Sequence, residues 1–321
     1  MDWPYNRIQY EGKMKMKQSL IISKCIIILQ ILFAMVFFNC KEHLEQNADP
    51  AYLSEIEQWH LKRISNLKKE NGWLNLAGLY WLKHGENKFG SAKDNDLVFP
   101  ENAPAHIGTI TLIDSIVTIN ILPENYVTSD SVKVDKIEMK HDLTGKPNVF
   151  SYNFLRWFLI KRGEKYGIRL RDLKAKLLNE FEGINRFPVN KDWKIEADYE
   201  AYNPPKKILV PNVLGSSDEE IVPGKLVFKV KDQMYSLNPI DSGEKLFIIF
   251  ADETNGETTY GAGRFLYTEK PDSLGKVILD FNKSYNPPCV FTKYATCPLP
   301  PEQNRLALKI TAGEMNFGNS H

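Results

Sequence analysis

The side chains best suited to chemistry lie in the second half of the chain. Asp252 and Asp280 are carboxylates that could act as general bases. Three arginines could hold an anionic group, because a guanidinium donates parallel hydrogen bonds to a carboxylate or phosphate: Arg169, Arg171 and Arg264. Further polar groups for the same pocket are Tyr260, Asn282, Asn286, Asn304 and Arg305. Together these residues predict a site for an anionic small molecule, at which hydrolysis could also occur.

The same polar residues have a structural interpretation. Arginines and carboxylates on a solvated sheet face form ion pairs that stabilise a fold by less than about 1 kcal/mol each. The chain would then be a non-catalytic structural or interaction module of the cell envelope. The hypotheses differ in the expected effect of Asp280→Asn, which would abolish ligand binding in a pocket but would lower thermal stability in a structural network.

A pair of cysteines offers another hypothesis. Cys289 and Cys297 are the only cysteines after Cys40. In an exported protein they would form a disulfide, which stabilises by about 2–3 kcal/mol for so short a loop on the chain-entropy model. Alternatively, Cys289 is the nucleophile of a Cys-dependent enzyme. The histidines lack the paired spacing of a zinc site, and the sequence predicts neither a metal nor a cofactor.

Short alternating strands must position these groups. About ten such runs are bounded by turn residues, and no long helical pattern separates them, which predicts a mainly β fold, an antiparallel sandwich or barrel. Arg162-Gly163-Glu164 is typical of a hairpin turn. Side-chain alternation in IRLR at 168–171 puts both arginines on one face, and the same rule puts Asp280 and Asn282 on a shared face. A short helix is expected at 173–181.

One amphipathic helix is predicted before the strands. Asp49 can cap its first turn and Pro50 suits the first helical position. An apolar stripe at helical spacing follows, and Asn71-Gly72 supplies the end. His60 lies on that stripe, where a partly buried structural histidine is the favoured interpretation over a metal ligand. The strands and this helix are predicted to form a single β-rich domain over 49–321.

Several dense motifs point to a known family. They are the segment 72–82, GIRLRD at 167–172, Phe187-Pro188, DETNGETTYGAGRFLY at 252–267, and the closing stretch that contains YNPPC, YATCPLPP, NRL and AGE. From about residue 52 to 315 the chain resembles the bacterial and archaeal domain-of-unknown-function family numbered 1684. The resemblance implies relatives but no reaction, since the family has no established activity.

The first 39 residues have the pattern of an export signal. Three lysines at 13, 15 and 17 precede an apolar run over 20–38, which is too interrupted for the roughly 20 residues of a membrane span. Cys40 follows this run, and the arrangement resembles a bacterial lipoprotein signal with Cys40 as the acylated residue. An uncleaved anchor is the alternative. Residues 40–48 are interpreted as a tether, and residues 1–13 as an extension before a start at Met14 or Met16.

Composition limits the partners. The chain has 321 residues with 41 Lys plus Arg and 40 Asp plus Glu. A formal net charge of +1 argues against nucleic acid, because phosphate binding needs a concentrated excess of basic side chains. The predicted partners are therefore a small molecule and, through Cys40, a membrane. The predicted location is the cell envelope, lipid-anchored on the periplasmic side or the cell surface.

Overall fold

The computed structural model describes residues 49–318. The predicted signal, the acylated Cys40 and the tether up to residue 48 lie outside the described residues. The described part begins with helix α1, Pro50–Lys68, whose first turn is capped by the Asp49 carboxylate accepting from the Ala51 amide. This agrees with the predicted helix start. No helix within 49–318 combines the length and the apolar character needed to cross a membrane.

Residues 76–172 form a sandwich of two sheets. Its strands are β1 Leu76–Trp81, β2 Gly85–Gly90, β3 Leu97–Val98, β4 Gly108–Ile113, β5 Ile116–Ile121, β6 Thr128–Ser129, β7 Val132–Lys133, β8 Lys136–Glu138, β9 Val149–Tyr152, β10 Leu155–Arg162 and β11 Lys165–Asp172. One sheet has the order β1-β11-β10-β9-β6-β7, and the other β3-β2-β4-β5-β8. The strand pairs are antiparallel except for β2 with β3. Alternate side chains from both sheets fill one core, in which Phe89, Phe150 and Trp157 are fully buried.

The predicted hairpin joins β10 to β11. Its turn uses Gly163 at a φ of +55°, a conformation that favours glycine. The register pairs Arg162 with Lys165 and Arg156 with Arg171. The aliphatic residues of β11 therefore face the core, and Arg169 and Arg171 lie together on the opposite face, as the alternation predicted.

The second half of the chain builds a half-barrel. Its strands are β12 Lys194–Pro211, β13 Ser217–Val230, β14 Gln233–Leu237, β15 Ile240–Ser242, β16 Lys245–Phe250, β17 Arg264–Glu269 and β18 Lys276–Asp280. They form two antiparallel sheets, β14-β13-β12-β18 and β15-β16-β17. The Thr268 hydroxyl on β17 donates to the Ile278 carbonyl on β18 at 2.7 Å, which brings the two sheets side by side. Phe228, Phe250 and Phe281 pack at their shared core.

Helix α1 packs against this second half, although it precedes the sandwich in sequence. Tyr52 and Ile56 contact Val189, and Leu67 lies in a cluster with Phe181 and Phe291. A second helix, α2, covers Lys176–Glu180, within the predicted 173–181. The prediction of a mainly β, antiparallel protein with an N-terminal helix is confirmed.

Candidate functional site

The outer face of the β10–β11 hairpin carries the arginines that the sequence placed together. Arg156 lies opposite Arg171, and Phe158 lies opposite Arg169. Arg169 is 4% exposed and Arg171 is 9% exposed. Burying a guanidinium without a carboxylate is costly, so these two groups require an explanation.

Arg171 uses only one edge of its guanidinium within the protein. Its Nη1 donates to the Gly72 carbonyl and to Asn75 Oδ1, the latter at 2.8 Å. Nε and Nη2 donate to no acceptor among the described residues, and neither atom is sealed from solvent. Burial lowers the pKa of Arg171 to about 10, and the nearby Glu70 charge partly opposes this shift. The open edge can therefore donate to a bound anion.

Arg169 is enclosed more completely. Its Nη2 donates to Thr296 Oγ1 at 3.2 Å, and its guanidinium lies 5.7 Å from the centre of the Trp73 ring. Its Nε is buried without a partner. Burial, followed by the charge of Arg162, lowers the pKa of Arg169 to about 10. Arg169 thus contributes positive charge to this face while being held by an aromatic ring and a hydroxyl.

A pocket of about 560 Å³ lies beside Arg171. Its lining residues come from the turn after α1, the start of β9 with the loop before it, and the hairpin: Lys69, Glu70, Asn71, Pro147, Val149, Arg156, Phe158 and Arg171. Glu70 is its one carboxylate, and Oε1 accepts from Arg156 Nε at 2.8 Å. With three cationic side chains and one carboxylate, the pocket is positively charged. Its Pro, Val and Phe side chains add apolar surface.

Arg264 occupies a different environment. It is fully buried, and its Nη2 forms an ion pair with Asp252 Oδ2 at 2.7 Å and donates to the Ile310 carbonyl at 2.9 Å. Its Nη1 donates to the Ala312 carbonyl. Asp252 Oδ1 accepts from the Thr254 amide at 2.8 Å and from its hydroxyl at 2.5 Å. Since both carboxylate oxygens are engaged, the geometry gives Asp252 the contacts of a structural residue and no free position for a substrate proton.

Asp280 lies in another buried network, at the end of β18. Its Oδ1 accepts from the Tyr52 hydroxyl of α1 at 2.7 Å, and its Oδ2 is 3.4 Å from Lys283 Nζ. Asn282 Nδ2 donates to the same Tyr52 oxygen at 3.0 Å and to the Asn190 carbonyl at 2.8 Å. Asp280 and Asn282 are therefore brought together as predicted, but around a tyrosine of the N-terminal helix. This network fixes the start of α1 on the half-barrel.

The remaining candidates are dispersed. Asn304 closes a loop through bonds to the carbonyls of Asn238 and Ile249 at 3.0 and 2.9 Å. Arg305 is exposed, and Tyr260 is half-buried with a pKa raised by burial. None of these three lines the pocket beside Arg171.

Asn286 belongs to a buried group that the sequence analysis missed in part. Its backbone N–H donates to Glu314 Oε2 at 2.7 Å, and Glu314 Oε1 pairs with Arg63 Nε of α1 at 3.2 Å. Burial raises the pKa of Glu314, and the Arg63 charge opposes that shift. Gly313 has a φ of +78°, and a Cβ there would lie 2.5 Å from the Ser284 carbonyl. The AGE motif is thereby explained as a turn that directs Glu314 inward.

The two cysteines are joined. The structure contains a disulfide between Cys289 and Cys297, in the loop that also supplies Thr296 to Arg169. A nucleophilic thiol at Cys289 would therefore become available only after reduction. Within 49–318 no cluster of three or more His, Cys, Asp or Glu side chains could hold a metal ion.

The structure thus separates the predicted site residues into groups. Arg169 and Arg171 share a face, whereas Asp252 with Arg264 and Asp280 with Asn282 form two distinct networks. Sequence reasoning missed Arg156 and Phe158 as pocket residues. The signal was available, because a two-residue turn at 163–164 fixes the hairpin register and places residue 156 opposite residue 171.

Comparisons with solved structures give partial likenesses. An uncharacterised protein of Haloarcula marismortui, known from solution NMR, has 26% sequence identity and a TM-score of 0.37, over 44% of this chain and 80% of that one. The FhaA FHA domain, complexed with an intracellular domain of another protein, has 16% identity and a TM-score of 0.22 over 30% and 96% of the two chains. A structure from a study of phosphothreonine-dependent FHA domain interactions has 15% identity and a TM-score of 0.21, over 29% and 92%. Likenesses this weak assign no activity.

Comparison with family models and curated proteins gives one match. No curated protein matches the chain. The matching family is described as protein of unknown function (DUF1684), and it covers the half-barrel from α2 to the AGE turn. This range is shorter than the expected 52–315, yet it contains the predicted closing motifs. Residues 179–315 of the chain match the model of the family described as protein of unknown function (DUF1684).

Proposed function

We propose that this protein binds a small anionic molecule with an apolar body, in the pocket beside Arg171. The observation that supports the proposal is the open edge of the Arg171 guanidinium, which is buried, has no ion-pair partner among the described residues, and borders a pocket of about 560 Å³. A ligand carboxylate would accept from Nε and Nη2 together, which is the bidentate geometry that arginine favours.

The other residues that line the pocket indicate that the ligand also has an apolar part. Phe158, Pro147 and Val149 offer apolar contact, so a ligand with only a small charged group would leave that surface exposed to water. Arg156 is partly held by Glu70 and stands beside Arg171 on the neighbouring strand. The proposed ligand class is therefore an amphipathic monoanion, such as a medium-chain carboxylate.

Binding is proposed here in preference to hydrolysis. Asp252 and Asp280, the candidate bases, belong to networks that include no residue lining this pocket. The carboxylate present in the pocket, Glu70, already accepts from Arg156. A general base needs hydrogen-bond reach to the proton that it removes, and these contacts do not supply such a group.

Calorimetric titration of the purified protein with octanoate tests the proposal, with octanol and acetate as probes that lack the charge and the apolar chain respectively. Octanoate is expected to bind, and Arg171→Met is expected to weaken its binding at least tenfold. Arg305→Met is the matched control, because Arg305 is an exposed arginine outside the pocket. Equal binding of octanoate by the wild-type protein and Arg171→Met would contradict the proposal.

We also propose that the protein is an exported lipoprotein anchored through Cys40. The support is the sequence pattern that ends at Cys40, together with the disulfide, since disulfides persist in oxidising compartments. Metabolic labelling with a palmitate analogue is expected to mark the wild-type chain and not Cys40→Ser. Labelling of both chains, or an intact mass that retains residues 1–39, would contradict this proposal.

A further inference from the structure

The pocket beside Arg171 is lined by two arginines that are anchored in the same way. Arg171 Nη1 donates to the Gly72 carbonyl and to Asn75 Oδ1. Arg156 Nη1 donates to two backbone carbonyls, at 2.8 and 2.9 Å. The two arginines are direct partners in the register of β10 and β11. In both side chains the anchored Nη1 leaves the edge formed by Nε and Nη2 for a further acceptor.

These two guanidinium edges differ in what lies against them. Glu70 Oε1 accepts from Arg156 Nε at 2.8 Å, so a carboxylate of the protein already occupies the Arg156 edge. Arg171 Nε and Nη2 have no acceptor among the described residues. Burial lowers the pKa of Arg171, and the charge of the same Glu70 opposes this shift, which places the carboxylate near both arginines. The pocket thus has two arginine edges and one carboxylate, which leaves one edge for a ligand.

A buried asparagine fixes the position of Glu70 relative to Arg171. Asn75 is fully buried, and its Nδ2 donates to the carbonyls of Lys69 and Glu70 at 3.1 and 2.7 Å. Its Oδ1 accepts from Arg171 Nη1 at 2.8 Å. One side chain therefore holds both the turn that carries the carboxylate and the arginine whose edge is open. The Glu70 side chain itself is exposed, so its substitution removes no core contact.

We propose that Glu70 sets the ligand charge that the pocket accepts, because it neutralises Arg156 and leaves Arg171 for a single anionic group. This inference rests on the anion site proposed above and specifies its selectivity. A dianion would have to displace the Glu70 carboxylate from Arg156 or lie beside it, where the Glu70 charge would repel the second negative charge. Without that carboxylate, both arginines would contribute uncompensated positive charge, which favours a dianion. Glu70 therefore separates ligands of one negative charge from ligands of two.

Octyl sulfate and octyl phosphate test this selectivity. They share the alkyl chain and a tetrahedral oxyanion, but at pH 8.5 they carry one and about two negative charges respectively. Titration calorimetry of the purified protein gives the ratio of the two dissociation constants, and the wild-type protein is expected to favour octyl sulfate. Glu70→Gln keeps the size of the side chain and removes its charge, so it is expected to shift the ratio at least tenfold toward octyl phosphate. A wild-type preference for octyl phosphate, or an unchanged ratio in Glu70→Gln, would overturn the proposal.

Glu57→Gln is the matched control for this substitution. Glu57 is an exposed glutamate of α1 that accepts from an arginine, Arg186, and neither residue lines the pocket beside Arg171. The control is expected to keep the wild-type ratio, and a shift as large as that of Glu70→Gln would overturn the role assigned to Glu70.

Octanoate titration separates the failure of this proposal from the failure of the anion site itself. If octanoate binding depends on Arg171 but Glu70→Gln leaves the ratio unchanged, the anion site stands and the role of Glu70 is overturned. If the wild-type protein binds neither octanoate nor octyl sulfate, both proposals are overturned together.

Discussion

Two buried arginines of this protein show opposite arrangements. Arg264, inside the half-barrel, has a carboxylate partner and donates to backbone carbonyls that its own fold supplies. Arg171, on the outer face of the sandwich, has no ion-pair partner among the described residues and leaves one edge of its guanidinium unused. A buried cation that is paired with a carboxylate and donates to backbone carbonyls holds the fold together, whereas one with accessible donors and no ion-pair partner is prepared for a ligand. Burial alone does not distinguish the two roles; the accounting of donors and acceptors does.

Breaking the buried ion pair between Arg264 and Asp252 should give the largest loss of stability. Asp252→Asn keeps the size of the side chain but removes the ion-pair partner of the buried Arg264 charge. We expect the free energy of unfolding to fall by about 3–5 kcal/mol, measured by urea denaturation. Asp241→Asn is the matched control, because Asp241 pairs with Lys270 at a well-exposed position and should cost less than about 1 kcal/mol. Equal costs for the two variants would refute the structural role assigned to Asp252.

Removing the disulfide should give the second-largest loss of stability. The disulfide lies in the loop whose Thr296 accepts a hydrogen bond from Arg169. Replacing both Cys289 and Cys297 by alanine should lower the free energy of unfolding by about 2–3 kcal/mol, because the unfolded chain regains the freedom of a short loop. Urea denaturation with and without reductant measures this effect. Reductant should lower the free energy of unfolding of the wild-type protein and leave that of the double variant unaltered. Octanoate binding should persist in the variant, since neither cysteine lines that pocket.

Replacing Arg171 should lower stability less than replacing Asp252 does. Arg171→Met loses the hydrogen bonds to Gly72 and Asn75 but also removes a buried charge that has no ion-pair partner. These effects oppose each other, and we expect a loss of about 1–2 kcal/mol, clearly smaller than that of Asp252→Asn. Chemical denaturation of both variants under one condition makes the comparison. A loss as large as that of Asp252→Asn would show that Arg171 is also primarily structural.

The smallest expected effect is on the pH dependence of stability, and it comes from the buried side chain of His60. The pKa of His60 is lowered in the folded state, so below the ordinary value of 6.5 the unfolded chain takes up a proton that the folded protein resists. Stability should therefore fall as the pH drops through 6.5, and His60→Phe should reduce that fall. Arg186 and Arg63 strengthen the effect and Glu57 opposes it. Denaturation at pH 7.5 and pH 5.5 measures it, and an unaltered pH dependence in the variant would exclude His60 as its source.

Local patterns in the sequence predicted the elements well. Alternation put Arg169 and Arg171 on one face, and the Asp49-Pro50 pair marked the start of α1, because both signals depend only on neighbouring residues. The sequence could not show which strands of different sheets meet. Asp252 was therefore expected near the arginines of β11, whereas it pairs with Arg264 inside the half-barrel. Nor could it show that Tyr52, in the first helix, would contact Asp280. Such long-range contacts follow from packing of whole elements.

The docking of α1 has a consequence for the order in which the molecule is completed. Tyr52 and Asp280 are 228 positions apart, and Arg63 and Glu314 are 251 positions apart. The sandwich of residues 76–172 draws its core from its own strands, so it can fold as soon as those residues have been synthesised. At that stage the residues that α1 contacts have not yet been synthesised. The Arg63–Glu314 ion pair can form only after Glu314 has been synthesised. A chain cut short before that glutamate would leave α1 without this contact.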